Sequence, residues 1–358
     1  MVAVESIGAG GGSIARFDQG ALSVGPDSAG AEPGPACYRR GGDLPTVTDA
    51  NLVLGYMDAD RIIGGTLALD LTAARDALAP LAAQMNMSIE VAALGVVKVV
   101  NSAMVRSLRR VTVERGIDGR QCTLLAYGGA GPMHAVEIAR AFGIAKVIIP
   151  VHSSAFSALG CVSAEMSYSQ QRTVRMAAGD WDANRLQAVR TSLRSRLSAP
   201  LEAAGYQPGD IAMEEVAAVR YRGQSYAIEI RNPCFDEPRR LGQAFFDEHE
   251  RLYGFVTEEP WELVAIRQRL SIARGSDIPG PLRNDRGSAP SIKTSPCTFA
   301  AAHTVATPRY SRSALGAGQV LSGPAVVEDE WSTVIVSPGA TLTADASGHL
   351  HIETGARP

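Results

Sequence analysis

The stretch Cys122-Thr-Leu-Leu-Ala-Tyr-Gly-Gly-Ala-Gly-Pro-Met-His-Ala-Val-Glu-Ile-Ala-Arg-Ala-Phe142 decides the fold that we predict for this chain. Its apolar start predicts a buried strand over Cys122–Tyr127, and its second half predicts a helix over Met133–Phe142. The apolar run Lys146–Val151 predicts a further strand. Strand, helix and strand at this spacing form a βαβ unit with parallel strands, so we expect an α/β fold.

The turn between the first strand and the helix is Gly128-Gly-Ala-Gly-Pro132. Proline suits the first helical position, where its missing N–H is not needed. Glycines let backbone N–H groups approach an anion, and the helix dipole favours negative charge there. We therefore predict a nucleotide-phosphate site at Gly128, Gly129, Ala130 and Gly131; the alternative is a tight turn without a ligand. The spacing matches neither GxxxxGK[ST] nor GxGxxG.

A second glycine-rich segment spans Gly8–Ser13. It could bring backbone close to a phosphate or substrate, or it could be a flexible hinge. The residues that we place in this loop near the substrate or phosphate are Gly10, Gly11, Gly12 and Ser13.

Three polar side chains are candidates for chemistry. Asp49 and Asn51 could hold Mg²⁺ or a substrate amide, although Asp49 also suits the N-cap of a short helix over Ala50–Met57. His134 could exchange protons near neutral pH, although a single histidine can equally be structural. The catalytic candidates are Asp49 and His134, with Asn51 beside the substrate loop and no certain metal ligand.

Length and composition limit the remaining possibilities. A chain of 358 residues exceeds one compact core, so we expect two or three domains. A net charge of −3 gives no field that would recruit nucleic acid or an anionic membrane. The five cysteines form no CxxC pair, and we find neither a signal peptide nor an apolar run of about 18 residues. We therefore expect a cytoplasmic protein.

The apolar spacing indicates three domains: 1–168, an α+β module over 169–275, and 276–358, a linker followed by a small β domain. The first is expected to start with strand-like Val2–Ser6 and a loop over Gly25–Gly42, and to contain a loop over Ser153–Gly160. Predicted helices are Leu71–Met85, Ile89–Gly116, Trp181–Ala204 and Leu241–Tyr253. Predicted strands lie within Glu214–Arg231, Leu263–Arg274, Ala325–Glu328, Thr333–Val336 and Leu350–Ile352, and Ser276–Pro296 is the predicted linker.

The order of motifs resembles the hydantoinase A/5-oxoprolinase family, which includes hydantoin utilisation protein A, N-methylhydantoinase and acetone and acetophenone carboxylase relatives. The resembling segments are Ser6–Ala15, Val24–Tyr38, Thr46–Gly55, Tyr127–Ala135, Ala155–Gly160, Arg220–Gln224, His249–Phe255 and Ser322–Val327. They keep the family's order and reach both ends of the chain.

This resemblance implies the second half of an actin-like (ribonuclease H-like) ATPase core. Family members use ATP to phosphorylate a carbonyl oxygen of a cyclic amide or ketone. Hydantoinases and 5-oxoprolinase then open the ring with water. In such a fold, Gly128–Gly131 would be the adenosine motif, flanking the nucleotide's sugar and α-phosphate.

One departure from the family pattern concerns phosphate handling. Members carry two Asp-Gly-Gly-Thr loops that hold Mg²⁺ and the terminal phosphates, and neither loop occurs in this sequence. Phosphoryl transfer depends on positioning and charge stabilisation. We therefore expect the C-terminal half of a hydantoinase A-type amidohydrolase that needs an N-terminal half, which holds most of the Mg²⁺ contacts, and a hydantoinase B-type subunit.

Two alternatives remain open from the sequence. The chain could be a subunit of an acetone- or acetophenone-type carboxylase, which joins an enolate to a bicarbonate-derived carboxyl phosphate. It could also be a non-catalytic scaffold or fragment.

Overall fold

The computed structural model describes residues 4–272 and 287–355. Chain contacts divide it into two compact units, Met1–Leu159 with Pro279–Pro358, and Gly160–Ile278. The helices and strands of the first unit are β1 (Ser13–Asp18), β2 (Ala21–Ser28), α1 (Val47–Val53), α2 (Leu71–Gln84), α3 (Ile89–Val113), β3 (Thr123–Leu125), α4 (Gly131–Phe142) and β4 (Lys146–Ile149). Helix α5 (Phe156–Ser163) lies at the boundary of the two units.

The second unit contains β5 (Met166–Ala177), α6 (Ala183–Ala203), β6 (Ile211–Tyr221), β7 (Ile228–Arg231), α7 (Pro238–Tyr253) and β8 (Trp261–Ile272). The first unit resumes with β9 (Lys293–Ala300), β10 (His303–Ser311), β11 (Val320–Ser322), β12 (Ala325–Glu328), β13 (Thr333–Val336), β14 (Thr341–Ala344) and β15 (Leu350–Glu353). The result is a mixed α/β fold with several sheets.

Side-chain caps determine where the two long helices of the first unit begin. The carboxylate of Asp70 accepts a hydrogen bond from Ala73 N at the start of α2. The hydroxyl of Ser88 does the same for Val91 N at the start of α3. Both caps satisfy N–H groups that have no partner inside the helix. The helix predictions here are therefore confirmed to within three residues.

Helix α3 is the described helix that is long and apolar enough to cross a membrane. A core helix can meet the same criterion, and α3 packs against α1, α2 and α4. Its buried residues are Ala92, Ala93, Leu94, Val96, Val97, Val100, Asn101 and Val105. Most of these join the apolar core formed with α1 and α2.

Helix α1 begins earlier than the sequence suggested. The prediction that Asp49 is the N-cap of a helix over Ala50–Met57 is wrong, because Thr46 is the N-cap. Asp49 is instead the third helical residue and completes a capping box with Thr46. The Thr46 hydroxyl accepts from Asp49 N, while the Asp49 carboxylate accepts from Thr46 N.

The predicted βαβ unit is present, because β3 and β4 pair in parallel on either side of α4. The prediction that the first strand is buried is wrong: β3 is the edge strand of its sheet, and Leu125 is exposed. The sheet order is β11-β14-β15-β4-β3. Strand β15 pairs antiparallel with β4, so the C-terminal strands β11, β14 and β15 extend the same sheet as β3 and β4.

A second sheet of the first unit has the order β13-β12-β10-β9. Strands β12 and β13 occupy the predicted ranges, and all eight of their residues are buried. Strand β10 pairs in parallel with β12 and antiparallel with β9. Helix α4 packs against β13 and thereby links this sheet to the βαβ unit.

The second unit has a four-stranded antiparallel sheet with the order β5-β8-β6-β7. Its buried face packs with α6 and α7 around an aromatic core containing Tyr221, Phe245 and Trp261. Helix α7 begins at Pro238, three residues before the predicted start.

Several local predictions differ from the structure. The predicted loop over Ser153–Gly160 contains the start of α5, and the predicted loop over Gly25–Gly42 starts inside β2. Residues Val4–Ser6 are irregular, while residues 2 and 3 of the predicted strand Val2–Ser6 lie outside the described residues. Most of the predicted linker Ser276–Pro296 also lies outside them, and its last residues belong to β9.

Candidate functional site

The glycine turn lies between the end of β3 and the start of α4. Gly128 has a φ of +88°, and its N–H donates to the Ser153 carbonyl at 2.8 Å. A Cβ at Gly129 would lie 3.3 Å from the Trp331 carbonyl oxygen. Local geometry therefore explains why both positions favour glycine.

Gly131 differs from those two glycines. A Cβ there would meet nothing within 4 Å, and its φ is not positive. It begins the 12-residue helix α4, with Pro132 following in the first turn. The space above Gly131 thus leaves the N-terminus of α4 open to a ligand.

Hydrogen bonds hold the first glycine loop in place. The Gly11 carbonyl accepts from both the N–H and the hydroxyl of Thr48, each at 2.9 Å. The Gly12 carbonyl accepts from Ala29 N at 2.8 Å, and Ser13 Oγ accepts from Gly10 N at 2.9 Å. Added Cβ atoms at Gly11 and Gly12 would lie under 3.0 Å from the Thr48 and Ser28 hydroxyls. These contacts favour a fixed loop over a flexible hinge.

The Asp49 carboxylate is fully buried and accepts four hydrogen bonds. Cys37 N donates to Oδ1 at 2.8 Å, and Ala36 N donates to Oδ2 at 3.3 Å. Thr46 donates to Oδ2 through its N–H at 3.0 Å and its hydroxyl at 2.7 Å. Asp49 therefore ties the loop at residues 36–46 to helix α1, and burial beside it raises the pKa of the Cys37 thiol.

His134 lies in the first turn of α4 and is buried between two asparagines. Its Nδ1 is 2.8 Å from Asn101 Oδ1 on α3, and its Nε2 is 3.4 Å from Asn51 Nδ2 on α1. Nδ1–H donates to the Asn101 oxygen, and Nε2 accepts from the Asn51 amide. Burial lowers the pKa of His134 to about 4, so the imidazole is neutral at pH 7.

This asparagine–histidine–asparagine cluster leaves one polar atom unsatisfied. Among the described residues, Asn51 Oδ1 is buried and has no hydrogen-bond partner. A buried acceptor without a donor is uncommon, and it can mark a position where a ligand or water donates. Asn51 is thus the member of the cluster with spare hydrogen-bonding capacity.

A cavity of about 510 Å³ adjoins the cluster on the side of Asn101. Its wall includes Tyr56, Lys98, Asn101, Glu137, Arg140, Phe299 and His303. The volume lies within the range of small-molecule sites. Arg140 is already engaged by the carbonyls of Thr354 and Pro338 and by Glu137.

The structure brings some of the predicted residues together. Asn51 and His134 contact each other, which places α4 and its glycine turn beside α1. The first glycine loop reaches α1 through Thr48, whereas the Asp49 carboxylate contacts the 36–46 loop. Sequence reasoning missed Asn101 and Thr48; a buried polar position on the apolar side of α3 is the one signal that could have indicated Asn101.

No group of three or more histidine, cysteine, aspartate or glutamate side chains that could hold a metal ion occurs within 4–272 and 287–355. The Asp49 carboxylate, which we considered as a Mg²⁺ ligand, already accepts four hydrogen bonds from the protein.

Comparison with known proteins gives a match to a family model over the first part of the chain. Residues 1–170 match the model of the hydantoinase/oxoprolinase family. The likeness to individual proteins continues beyond this segment over nearly the whole chain.

Caprolactamase subunit alpha from Pseudomonas jessenii is 36% identical over 99% of this chain, which covers 53% of that protein. The crystal structure of the ATP-dependent caprolactamase from that organism matches with a TM-score of 0.86 and 34% identity, covering 99% of this chain and 53% of the other. The chain thus spans about half the length of caprolactamase subunit alpha.

Two further relatives are named for different activities. The Arabidopsis thaliana protein 5-oxoprolinase 1 is 31% identical over 98% of this chain, which covers 29% of that protein. A nucleotide-free structure of acetone carboxylase, with 27% identity, has a TM-score of 0.75 and matches 96% of this chain and 51% of its own. A caprolactamase and an acetone carboxylase therefore share this part of the fold.

Proposed function

We propose that this chain is part of an ATP-dependent enzyme that opens cyclic amides, and that its glycine turn flanks the nucleotide. The observation that carries the proposal is the open helix N-terminus at Gly131, in a chain similar to a caprolactamase over 99% of its length. We place the turn in the second half of an actin-like ATPase core.

The residues of the turn fit a nucleotide. Gly128 has a positive φ that glycine adopts without strain, and Gly131 adds no side chain above the first N–H groups of α4. The helix dipole there favours an anionic group. When bound, ATP would supply the phosphoryl group that activates a ring carbonyl before water opens the ring.

The two catalytic candidates have different roles in this proposal. His134 lies three residues after Gly131, and both of its ring nitrogens are hydrogen-bonded to asparagines, so its role is to hold the start of α4 against α1 and α3. Asp49 acts as a positioning residue, because its carboxylate already accepts four hydrogen bonds from the 36–46 segment. Asn51, with its unsatisfied oxygen, and the loop Gly10–Ser13 would lie on the substrate side.

The proposal includes partners. An N-terminal hydantoinase A half would hold Mg²⁺ and the terminal phosphates, and a hydantoinase B-type subunit would complete a cytoplasmic hetero-oligomer. The half-length match to caprolactamase and its name as subunit alpha support this part.

Nucleotide binding tests the proposal directly. ATP is titrated calorimetrically against the chain alone, and against the chain mixed with the N-terminal half of caprolactamase subunit alpha. We expect binding to tighten at least tenfold on mixing, because the phosphate contacts are then added. If mixing does not increase ATP affinity, a non-catalytic scaffold is favoured. If the chain alone opens the ring at ordinary enzyme rates, the proposal that it needs an N-terminal half is contradicted.

A variant identifies the turn as the nucleotide contact. Gly131→Leu places a bulky side chain over the first turn of α4 where the fold has space for it, and we expect ATP affinity to fall at least tenfold. Gly160→Leu is the matched control, because Gly160 is also a helical glycine with open space around its Cβ position. Equal affinity for ATP in both variants would show that the glycine turn does not contact the nucleotide.

A carboxylase subunit is the second candidate, and the match to acetone carboxylase favours it. ATP turnover by the assembled complex that depends on bicarbonate would support the carboxylase. Ring opening of a lactam without bicarbonate would exclude it.

A further inference from the structure

The 510 Å³ cavity beside the asparagine–histidine–asparagine cluster lies away from the proposed nucleotide turn. Its wall on α4 consists of Glu137, Arg140 and Ala141, which follow the open N-terminus at Gly131 by six or more residues. At a rise of about 1.5 Å per residue, this wall begins about 9 Å further along the helix. A group bound there would therefore lie beyond the turn, towards the C-terminal end of α4.

Asn101 gives the cavity a buried donor that is held in place. The side chain is 8% exposed, and its Oδ1 accepts from His134 Nδ1–H at 2.8 Å. Among the described residues, the amide Nδ2 of Asn101 makes no hydrogen bond. An amide nitrogen only donates, and polar groups on side chains this buried are usually satisfied. Because Asn101 lines the cavity, Nδ2 marks a position where an acceptor inside the cavity can bind.

Lys98 adds a positive charge to the same wall. Residues three apart share a helix face, so Lys98 and Asn101 are neighbours on α3. The other two lysines of the chain each form an ion pair with an acidic side chain. Lys98 forms none within residues 4–272 and 287–355. Its charge is thus available to a ligand.

The other charges of the wall compensate each other. Glu137 is the acidic side chain among the described lining residues, and its Oε1 lies 3.1 Å from Arg140 Nη1. Arg140 also donates to the carbonyls of Thr354 and Pro338, which hold the guanidinium in place. The charge of Lys98 is left over, and it suits a ligand with one negative charge.

The rest of the wall is largely apolar. It includes Leu94 and Val97 of α3 and Phe299 of β9, together with Tyr56. The Tyr56 hydroxyl is already used, because it donates to the carbonyl of Thr298 at 3.1 Å. The ring centroids of Tyr56 and Phe299 lie 5.6 Å apart. Such a surface favours burial of an aliphatic or aromatic group, and the volume is in the range of small-molecule sites.

We propose that this cavity binds a small monocarboxylate that carries a short aliphatic or aromatic group. One carboxylate oxygen would accept from Asn101 Nδ2, the other would pair with Lys98, and the apolar group would pack against Tyr56 and Phe299. Because Asn101 also accepts from His134, the bound acid would contact the side chain that anchors the first turn of α4. The inference goes beyond the proposed function and does not rest on it.

Ligand-observed NMR on the full chain at pH 7.5 without ATP tests the assignment, with hexanoate as the probe. Hexanamide has the same carbon chain but no charge, and acetate has the charge but almost no apolar surface. We expect each of them to bind about tenfold more weakly than hexanoate, because one loses the pairing with Lys98 and the other loses the apolar contacts. Equal affinity of hexanoate and either control, or no binding of hexanoate, would overturn the proposal.

Variants of Lys98 locate the bound probe. Lys98→Gln should weaken hexanoate binding about fivefold, the upper range for an exposed ion pair, while Lys98→Arg keeps the charge and should retain most of the affinity. Lys146→Gln is the matched control, because it removes an exposed lysine outside the cavity. Circular dichroism melting checks that each variant is folded. Equal hexanoate affinity in the folded Lys98→Gln and Lys146→Gln variants contradicts the site.

A second acid distinguishes two sources of the ligand. Opening of a seven-membered lactam gives 6-aminohexanoate, which would be a product of the proposed reaction. Affinity equal to or above that of hexanoate would make this product the ligand, whereas affinity lower by about tenfold would assign the site to acids without an amino group. Both results support a carboxylate site. Because no ATP is present, these measurements and the ATP titrations succeed or fail independently.

Discussion

Nδ1 of His134 lies 2.8 Å from Oδ1 of Asn101, a side chain 33 positions earlier in the chain and on a different helix. This contact fixes the imidazole tautomer and connects the helix that follows the glycine turn to the wall of the 510 Å³ cavity. Both side chains are buried, so the bond is shielded from water.

Replacing Asn101 tests that contact. Asn101→Leu removes the acceptor and leaves the buried His134 Nδ1–H without a partner, so we expect a loss of about 1–3 kcal/mol in unfolding free energy. Urea denaturation measures it. Ser102→Ala, next to it on α3 and exposed, is the control and should change stability by less than about 0.5 kcal/mol. An Asn101→Leu variant with the unfolding free energy of the wild type would show that this hydrogen bond does not stabilise the fold.

The buried His134 predicts a pH dependence of stability. Its pKa is about 4 in the folded chain and about 6.5 when unfolded, so only the unfolded state takes up the proton between these values. The stabilisation is complete above pH 6.5 and is lost as the pH falls towards 4, by up to about 3 kcal/mol.

Unfolding free energies measured from pH 7.5 to 4.5 check this pH dependence. His134→Gln should flatten the profile, whatever its absolute stability, because the titrating group is gone. His303→Gln removes an exposed histidine and should retain the wild-type slope. A wild-type slope in His134→Gln would assign the pH dependence to other groups.

We expect Asp49 to contribute mainly to the stability of the fold. Asp49→Ala leaves the N–H groups of Ala36, Cys37 and Thr46 without their acceptor, so we expect a loss of about 3 kcal/mol or more. Asp49→Asn retains one oxygen and should lose less. Chemical denaturation compares both with Asp43→Ala, an exposed carboxylate in the same loop, which should be close to neutral. Stability like that of Asp43→Ala would contradict the positioning role.

The buried ion pair between Arg309 and Glu328 supplies a further prediction. Their N–O distance is 2.7 Å, and Arg309 Nε also donates to Ser295 Oγ at 2.6 Å. Arg309→Met removes the close partner of the buried Glu328 and leaves only Arg61, whose Nη1 lies 4.0 Å from Oε2, so we expect a loss of about 3–5 kcal/mol. Thermal and urea unfolding measure the loss.

An exposed pair provides the comparison. Arg251 and Glu248 lie on the surface of α7, and Arg251→Met should cost only about 0–1 kcal/mol. Similar losses in the two variants would show that burial does not control the strength of the Arg309 pair.

The sequence by itself determined the features that depend on neighbours in the chain. Helices α2 and α3 could be placed because caps and apolar periodicity act within a few residues of Asp70 and Ser88. The parallel βαβ unit and the glycine turn followed from spacing alone, as did strands β12 and β13.

Only the tertiary structure decided which distant segments meet. It placed β15 against β4, put β3 at the sheet edge, and brought Asn51, Asn101 and His134 into one cluster. It also showed that Thr46 is the N-cap of α1, while Asp49 completes the capping box and holds the 36–46 loop. The physical reason is that hydrogen bonds between residues far apart in the chain depend on packing, which leaves no periodic signal in the sequence.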